Sequence, residues 1–394
     1  MLTAALPPEL VDLAIEEWDA REERFRMLPA RVMAYYAMAC TMNFDASYEE
    51  VWIRLVHGLS WARRHRQRKD AGMLPTAAAL YKGRVRLGWQ PMAELLRSSA
   101  RRAEVDPARA PWAFFHGLRV VAIDGFTVNV NRNPETVARF GLPSNAQGPG
   151  SYPQARVVAL AEIGTRGLLG AQVSGLGDGE QTLARELWPH LLAGDVVVGD
   201  RGFLSHQDLQ AIIATGAHAV IRAKADWDLP VLEVNADGSY QSRIADPQAS
   251  RRLRRTKVPA HLIPGIPVRV IEYTVATEDG TDESEVIRLV TTLTDPERYP
   301  MDDFPDLYHD RWRLETAIGD IETRLRGGPE VVLRSRKPDL VLQEIHALLC
   351  VYQAIRDLIV EGADHIGIDP DRVSFTKAKH AAARHTSDAA AFSP

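Results

Sequence analysis

Two aspartates follow runs of apolar residues in a pattern that suits metal-dependent chemistry. Asp124 closes "VVAIDG" and Asp200 lies in "VVVGDRGF". An aspartate at the end of a strand is often only a turn residue. Here each one is followed within two residues by a glycine, which lets a substrate or an ion approach the backbone. A third acid, Glu315, lies further along the chain in "YHDRWRLETAIGDIETRLRG", residues 308–327.

Three carboxylates of this kind predict a site for divalent cations. Converging carboxylates repel one another and raise one another's pKa unless cations compensate. Hard oxygen ligands suit Mg²⁺ or Mn²⁺, which also bind phosphates, and two such ions are the usual device for in-line displacement at phosphorus. The chain has no P-loop, GxSxG or HExxH motif. The glycines of "VSGLGDGEQ" lack the Lys-Ser/Thr end of a phosphate-binding loop.

Residues 308–327 have the periodicity of a half-buried helix. The apolar stripe consists of Leu314, Ile318, Ile321 and Leu325. The neighbouring polar stripe consists of Tyr308, Arg311, Glu315 and Glu322. A helix of this kind can pack across the edge of a sheet and bring Glu315 to the two aspartates.

Residues 1–112 are predicted to form an all-helical N-terminal region. Ser47 followed by Glu50 is a capping-box pattern. Further on, Thr76 is a helix cap, Gly88 a helix end and Pro91 a helix start. This second pair of helices resembles a small helix-turn-helix that presents basic residues; these are Lys82, Arg84 and Arg86. Ordinary packing of two helices is the alternative.

From about residue 113 the pattern becomes one of alternating strands and helices, typical of an α/β (α+β) core. The predicted order, β-β-β-α-β-α-β, is that of the ribonuclease-H-like fold, in which the first and fourth strands are neighbours. Residues 226–305 are predicted to be a β-strand insertion, with a hairpin turn at Asp237-Gly238. The catalytic domain then comprises residues 113–225 and 306–370. Residues 371–394 are the C-terminal tail, of which residues 379–394 are expected to be frayed.

Composition indicates a globular protein without a membrane segment. Of 394 residues, 45% are hydrophobic and 25% charged, and the net charge is -5. No apolar run approaches the roughly 18 residues of a membrane span, and the N-terminus lacks the features of a signal peptide. Cys40 and Cys350 are predicted to be buried, reduced thiols. A cytoplasmic protein is therefore expected. Its positive charge clusters in "RLVHGLSWARRHRQRK", "RRLRRTK" and residues 308–327, each either a solvated surface or a DNA contact.

Taken together, these segments resemble the DDE transposases of the insertion-element-four class. The resemblance covers about residues 5–375 and includes "LPPELVD", "VVAIDG", "GDRGF", "YHDRWRLETA" and "VLRS" in this order. It implies a ribonuclease-H-like catalytic domain with a β insertion. It also implies that Asp124, Asp200 and Glu315 are the catalytic triad and hold two divalent ions, Mg²⁺ or Mn²⁺.

The same resemblance implies which residues contact DNA. The family's helix signature is Tyr, two residues, Arg, three residues, Glu, six residues, Lys; Tyr308, Arg311 and Glu315 match it, and Glu322 replaces the lysine. Arg324 and Arg326 are then the residues expected to take over the phosphate contact of that lysine.

Three further side chains have two interpretations each. Arg201 and Arg311 are either phosphate clamps, because a guanidinium matches two phosphate oxygens, or partners in structural salt bridges. Trp227 either stacks on an unpaired base at the end of the element or packs as a core or surface tryptophan.

The function implied is that of a DNA transposase: metal-dependent phosphodiester hydrolysis followed by strand transfer at the ends of an insertion sequence. Its partners are double-stranded DNA, with inverted-repeat ends and a target, and a second copy of the chain. The expected location is the cytoplasm of a bacterium, on the nucleoid. Two alternatives remain: a transposase-derived DNA-binding protein that has lost transposition, suggested by Glu322, and a metal-dependent nuclease without end specificity.

Overall fold

The computed structural model describes residues 2–23, 27–56, 75–100, 107, 110–145, 148–254, 258–259, 262–276 and 284–385. Two of the basic segments fall partly outside these ranges, namely residues 57–69 and 255–257. None of the helices within the described ranges is long and apolar enough to cross a membrane.

The helices are α1 Leu2–Ala5, α2 Pro8–Glu17, α3 Ala30–Met42, α4 Tyr48–Val56, α5 Ala77–Leu87, α6 Gln90–Ser99, α7 Pro134–Phe140, α8 Glu180–Arg185, α9 His206–Ala214, α10 Pro247–Arg254, α11 Phe304–His309, α12 Trp312–Gly319, α13 Pro338–Ile366 and α14 Phe375–His385. A π-helix occupies Asp320–Leu325. The strands are β1 Phe114–Phe115, β2 Leu118–Asn129, β3 Ser144–Asn145, β4 Gly148–Pro149, β5 Gln154–Glu162, β6 Leu168–Gly175, β7 Asp195–Gly199, β8 His218–Arg222, β9 Glu233–Val234, β10 Tyr240–Ala245, β11 Gly265–Ala276 and β12 Ser284–Thr291.

The N-terminal helices begin and end where their capping residues predict. The Ser47 hydroxyl accepts from the Glu50 backbone N–H at 3.1 Å, and the Thr76 hydroxyl caps α5 by accepting from Ala79 N–H at 3.2 Å. Gly88 ends α5 with a φ of 73°, a conformation that glycine adopts without strain. Pro91 lies in the first turn of α6.

Of the three basic residues that helix α5 was predicted to present, Arg84 is buried whereas Lys82 and Arg86 are exposed. Arg84 is 4% exposed, and its guanidinium donates to Gln343 at 2.8 Å and to Ser335 at 3.0 Å. Arg86 donates to the backbone carbonyl of Leu28, while Lys82 is exposed. The helix-turn-helix interpretation is therefore wrong for Arg84, because a buried guanidinium that ties α5 to α13 is not available to DNA.

The central sheet has the strand order β6-β5-β2-β7-β8-β12-β11-β10-β9. Strand β2, the first of the core, pairs in parallel with β7, the fourth, and β7 pairs in parallel with β8. Strands β5 and β6 add antiparallel neighbours on the other side. The predicted ribonuclease-H-like α/β core is confirmed. One apolar cluster lies on each face of this sheet, the larger one against α12 and α13.

The strands of residues 226–305 continue the same sheet. Strand β12 pairs antiparallel with β8 over Leu289–Thr291, and β11, β10 and β9 follow outward from it. The hairpin turn at Gly238 has a φ of 90°, and its two strands β9 and β10 pair as predicted. The segment therefore holds its place by backbone hydrogen bonds to the edge of the core.

The end of the chain is helical further than the sequence indicated. Helix α13 is 29 residues long and mostly buried, and α14 packs against it. Phe375 is 1% exposed and stacks on Tyr352, with ring centroids 5.7 Å apart. Residues 379–385 were expected to be frayed; they form a helix because Phe375 seats it on the core. Residues 386–394 lie outside the described part.

A buried histidine makes the stability of this fold sensitive to acid. His346 on α13 stacks on Trp89 at a centroid distance of 5.6 Å, and its Nδ1 donates to the carbonyl of Leu342 at 2.8 Å. Burial lowers the pKa of His346 from 6.5 to about 4. Its contribution is complete above the unfolded pKa of 6.5 and is lost as pH falls toward 4, because the unfolded chain then binds the proton more readily.

We expect unfolding free energy to fall by about 2 kcal/mol between pH 7 and pH 5 through this group. The measurement is urea denaturation at both pH values for the wild type and His346→Phe, which keeps the stacked ring and removes the titration. An equal pH dependence in both proteins would contradict the assignment to His346.

Candidate catalytic site

Strand register brings Asp124 and Asp200 side by side. The parallel pairing of β2 with β7 runs from Arg119↔Asp195 to Ile123↔Gly199, so the two aspartates are the next residue on each strand. Adjacent strands lie about 4.8 Å apart and paired residues share a face. On both strands the residues of that face, Ala122 and Val198, belong to the larger core cluster, where α12 also packs.

Asp124 is not at the end of its strand, contrary to the prediction. Strand β2 continues to Asn129 because its antiparallel pairing with β5 extends to Asn129↔Gln154. Only the pairing with β7 stops at Ile123. From Asp124 onward one edge of β2 is therefore open, and Asp124 is the first side chain beside that opening.

Arg311 connects the first and third predicted acids. It lies between α11 and α12, and its Nη1 donates to Asp124 Oδ2 at 3.2 Å. Its Nη2 lies 2.6 Å from Glu315 Oε1. The Nε of Arg311 is buried and makes no hydrogen bond to the described residues. The side chain thus neutralises two carboxylates and keeps one donor unused.

The electrostatics at Asp124 reflect how close the acids are. Burial, helped by the charges of Asp200 and Glu315, raises the pKa of Asp124 to about 6, although the Gly125 N–H and Arg311 both lower it. Burial alone lowers the pKa of Arg311, but Tyr308, Glu315 and Asp124 outweigh it and raise the pKa. A buried carboxyl that can be neutral near pH 6 is typical of functional sites.

Residues 308–327 do not form the single regular helix that was predicted. Helix α11 ends at His309, α12 begins at Trp312, and the π-helix starts at Asp320. The Arg326 N–H donates to the carbonyl of Ile321, five residues back, at 3.0 Å. The wider turn changes the angular spacing after Gly319, so Glu322 does not continue the line of Glu315. A π-helix is often found next to functional sites.

Glu322, which the resemblance places at a lysine position, forms an ion pair with a buried arginine. Glu322 lies 3.5 Å from Arg326 Nη2, and the Arg326 side chain is 1% exposed. Burial raises the pKa of Glu322 and lowers the pKa of Arg326. Arg326 was expected to contact DNA phosphate; its burial means that it does not reach the surface in this structure. Arg324 is about half exposed and pairs with Asp320 at 2.6 Å.

The other predicted DNA-binding residues differ in their exposure to solvent. Tyr308 is 8% exposed and its ring lies 5.7 Å from the Arg311 guanidinium; burial raises its pKa. Arg201, next to Asp200, is exposed. Trp227 is half-buried beside the smaller core cluster and lines a cavity of about 480 Å³ with Ser205 and His206.

One carboxylate at this site was missed from the sequence. Glu180 begins α8, and its carboxyl lies 3.1 Å from the position that a Cβ on Gly125 would take. The signal was present in "VSGLGDGEQ", whose glycines suggest a phosphate loop but whose glutamate begins a helix beside the two aspartates. The glycines after the two aspartates had been interpreted as room for a substrate or an ion. In the structure, Glu180 occupies part of that room.

The chemistry of the donors fits divalent cations. Asp124, Asp200 and Glu315 supply only carboxylate oxygens, which hard ions prefer. As placed, no three His, Cys, Asp or Glu residues in the described part converge closely enough to hold an ion. Arg311 stands between Asp124 and Glu315 and pairs with both. A shared ion therefore requires this guanidinium to leave at least one carboxylate.

Comparison with known proteins gives consistent matches along the chain. The family model "Insertion element 4 transposase N-terminal" matches residues 1–97, and "Transposase DDE domain" matches residues 115–354. The transposase InsG for insertion sequence element IS4 of Escherichia coli (strain K12) is 25% identical over 379 residues, covering 94% of this chain and 79% of that protein. A cryo-EM structure of the piggyBac transposase synaptic complex with hairpin DNA is a weak structural match. Its TM-score is 0.46 at 11% identity, over 98% of this chain and 79% of that one.

Proposed function

The chain belongs to the DDE-domain transposases of the insertion element 4 class, and we propose that Asp124, Asp200 and Glu315 are its catalytic triad. The observation that supports this assignment is the register of β2 and β7, which sets two aspartates next to each other at an open strand edge. Arg311 links Glu315 to the same place.

The triad would hold two divalent ions, Mg²⁺ or Mn²⁺. When bound, such ions activate a water molecule and stabilise the leaving oxygen in displacement at phosphorus. The chain's own residues position the reaction. Asp200 is held by the Gly202 N–H, which donates to its Oδ1 at 2.7 Å, and Asp124 by the Gly125 N–H at 2.8 Å. Both carboxylates are therefore oriented by their own backbone.

Arg311 and Tyr308 would receive the DNA backbone beside the triad. The guanidinium of Arg311 already lies between two acids, and a phosphate offers it the same pair of oxygens. Arg201 and Arg324, both exposed at least in part, would extend this contact. Trp227 would stack on an unpaired base from the start of the insertion. Arg326 is left out of this proposal because it is buried.

The DNA substrate would be the paired inverted-repeat ends of an insertion sequence, bound by a dimer, followed by a target DNA. The test is incubation of the purified protein with a labelled duplex that carries the DNA flanking its gene, with Mg²⁺, with Mn²⁺ and with EDTA. We expect cleavage at the element end with either metal and none with EDTA. Metal-dependent cleavage of unrelated duplexes at an equal rate would instead indicate a nuclease without end specificity.

The second candidate is a DNA-binding protein that has lost transposition. Glu322 favours it, because a carboxylate at that place repels the DNA backbone that the family's lysine is thought to hold. Specific binding to the flanking duplex without any metal-dependent nicking, in the same assay, would favour this candidate over the enzyme.

A further inference from the structure

Glu180 places a fourth carboxylate at the open edge of β2. Its Cδ and Oε1 lie 3.1 Å from the Cβ position of Gly125, and its Oε2 lies 3.9 Å from the Cβ position of Gly202. Asp200 Oδ1 lies 2.9 Å from that second position. One oxygen of Glu180 and one of Asp200 therefore lie within 4 Å of the same place, the Cβ position of Gly202.

Glu180 comes from the face of the sheet opposite to Glu315. Helix α8 packs Leu183 and Ala184 into the smaller core cluster, whereas α12 packs into the larger one. Strand β7 has ended at Gly199, so no strand separates the two faces at this level. The neighbouring Gln181 donates to the carbonyl of Gly202 at 2.7 Å, which ties α8 to the Asp200 loop.

The carboxylate of Glu180 has little else to bind. Its ion-pair partner is Arg156, whose Nε lies 3.8 Å away. The Nη1 of Arg156 donates to the backbone carbonyls of Leu176 and Asp178 instead. Among the residues that the structure describes, no donor hydrogen-bonds to Glu180. Its oxygens are thus available on the side that faces Asp200.

We infer that Glu180 is a fourth acidic residue of the divalent-cation centre, acting with Asp200 from the opposite face of the sheet. The inference rests on the proposed triad. It explains why a glycine follows each aspartate: a side chain at either position would displace the Glu180 carboxyl or crowd Asp200. Glu180 either binds the cation directly or holds in place the oxygens that coordinate the cation. Replacing Glu180 should therefore weaken the binding of the cation.

The test is calorimetric titration of the full-length protein with Mn²⁺ in the absence of DNA. Glu180→Gln keeps the size of the side chain and removes its charge; we expect Mn²⁺ affinity to fall about 10–100-fold. Glu186→Gln, an exposed acid just after the same helix, is the matched control and should bind like wild type. Asp124→Asn serves as the reference for the triad.

Two outcomes separate the inference from the proposed function. If Asp124→Asn weakens binding and Glu180→Gln does not, Glu180 lies outside the centre and the triad stands. If neither substitution weakens binding, the proposed centre itself is wrong. Gly125→Ala gives a second approach, because its Cβ would push the flexible end of Glu180 aside. Gly125→Ala should weaken Mn²⁺ binding when Glu180 is present and should cause no further loss of affinity when combined with Glu180→Gln. If the double variant loses the sum of the two single losses, the inference is overturned.

Discussion

Asp200→Asn is expected to reduce metal-dependent DNA cleavage at least about a thousandfold, an increase in the activation barrier of about 4 kcal/mol. The substitution removes one negative charge from the proposed centre. It keeps the oxygen that accepts the Gly202 N–H, so the loop after β7 keeps its hydrogen bond. Cleavage of the flanking duplex under single-turnover conditions measures the effect, and a thermal melt verifies that the fold is intact.

The matched control is Asp302→Asn, the same chemical change at an exposed position. It should cleave at the wild-type rate. If Asp200→Asn cleaved DNA at a rate within a few-fold of wild type, Asp200 would not belong to the triad. The assignment of Asp124, which rests on its position beside Asp200, would then lose its support as well.

Glu322→Lys is expected to destabilise the protein by about 3 kcal/mol, because it replaces the counterion of a buried arginine with a second cation. Arg326 is 1% exposed, and its Nε and Nη1 have no hydrogen-bond partner within the described ranges. Glu322 is the acid that pairs with it there. Thermal or urea denaturation of the purified variant measures the loss.

Glu330→Lys, the same charge reversal at an exposed site a few residues on, should leave stability within about 0.5 kcal/mol of wild type. Glu322→Lys combined with Arg326→Met removes the buried charge and should recover most of the loss. This double variant is the appropriate background in which to ask whether the family's lysine improves cleavage. A single Glu322→Lys variant as stable as wild type would contradict the buried ion pair.

Core topology could be predicted from local patterns in the sequence, and the function class from the resemblance of several such segments to one transposase family. The apolar runs before Asp124 and Asp200, and the order of strands and helices around them, require a sheet in which the two runs are neighbours. The capping residues Ser47 and Thr76 act within one turn of their helices. The residues that form such short-range contacts are close together in the sequence, so the sequence alone is enough to predict them.

The predictions that were wrong concerned side chains whose surroundings come from distant parts of the chain. Arg84 has the appearance of a surface residue on an amphipathic helix, yet its partners Gln343 and Ser335 are more than 250 residues away. Arg326 follows a π-helix and is buried, and the periodicity of a regular α-helix does not hold through a π-helix. Side-chain burial of this kind depends on packing between elements.

The sequence by itself determined that Asp124 and Asp200 follow apolar strands that are neighbours in the predicted sheet, since the order of strands and helices indicates that pairing. Only the tertiary structure decided what lies between and beneath them. Arg311 pairs with Glu315 four residues on, and it reaches Asp124 because this helical segment packs against β2. Glu180 joins Asp200 because β7 ends one residue before it and opens the edge of β2 to both faces of the sheet. Contacts across two faces of a sheet have no fixed spacing along the chain, so no motif could have given them.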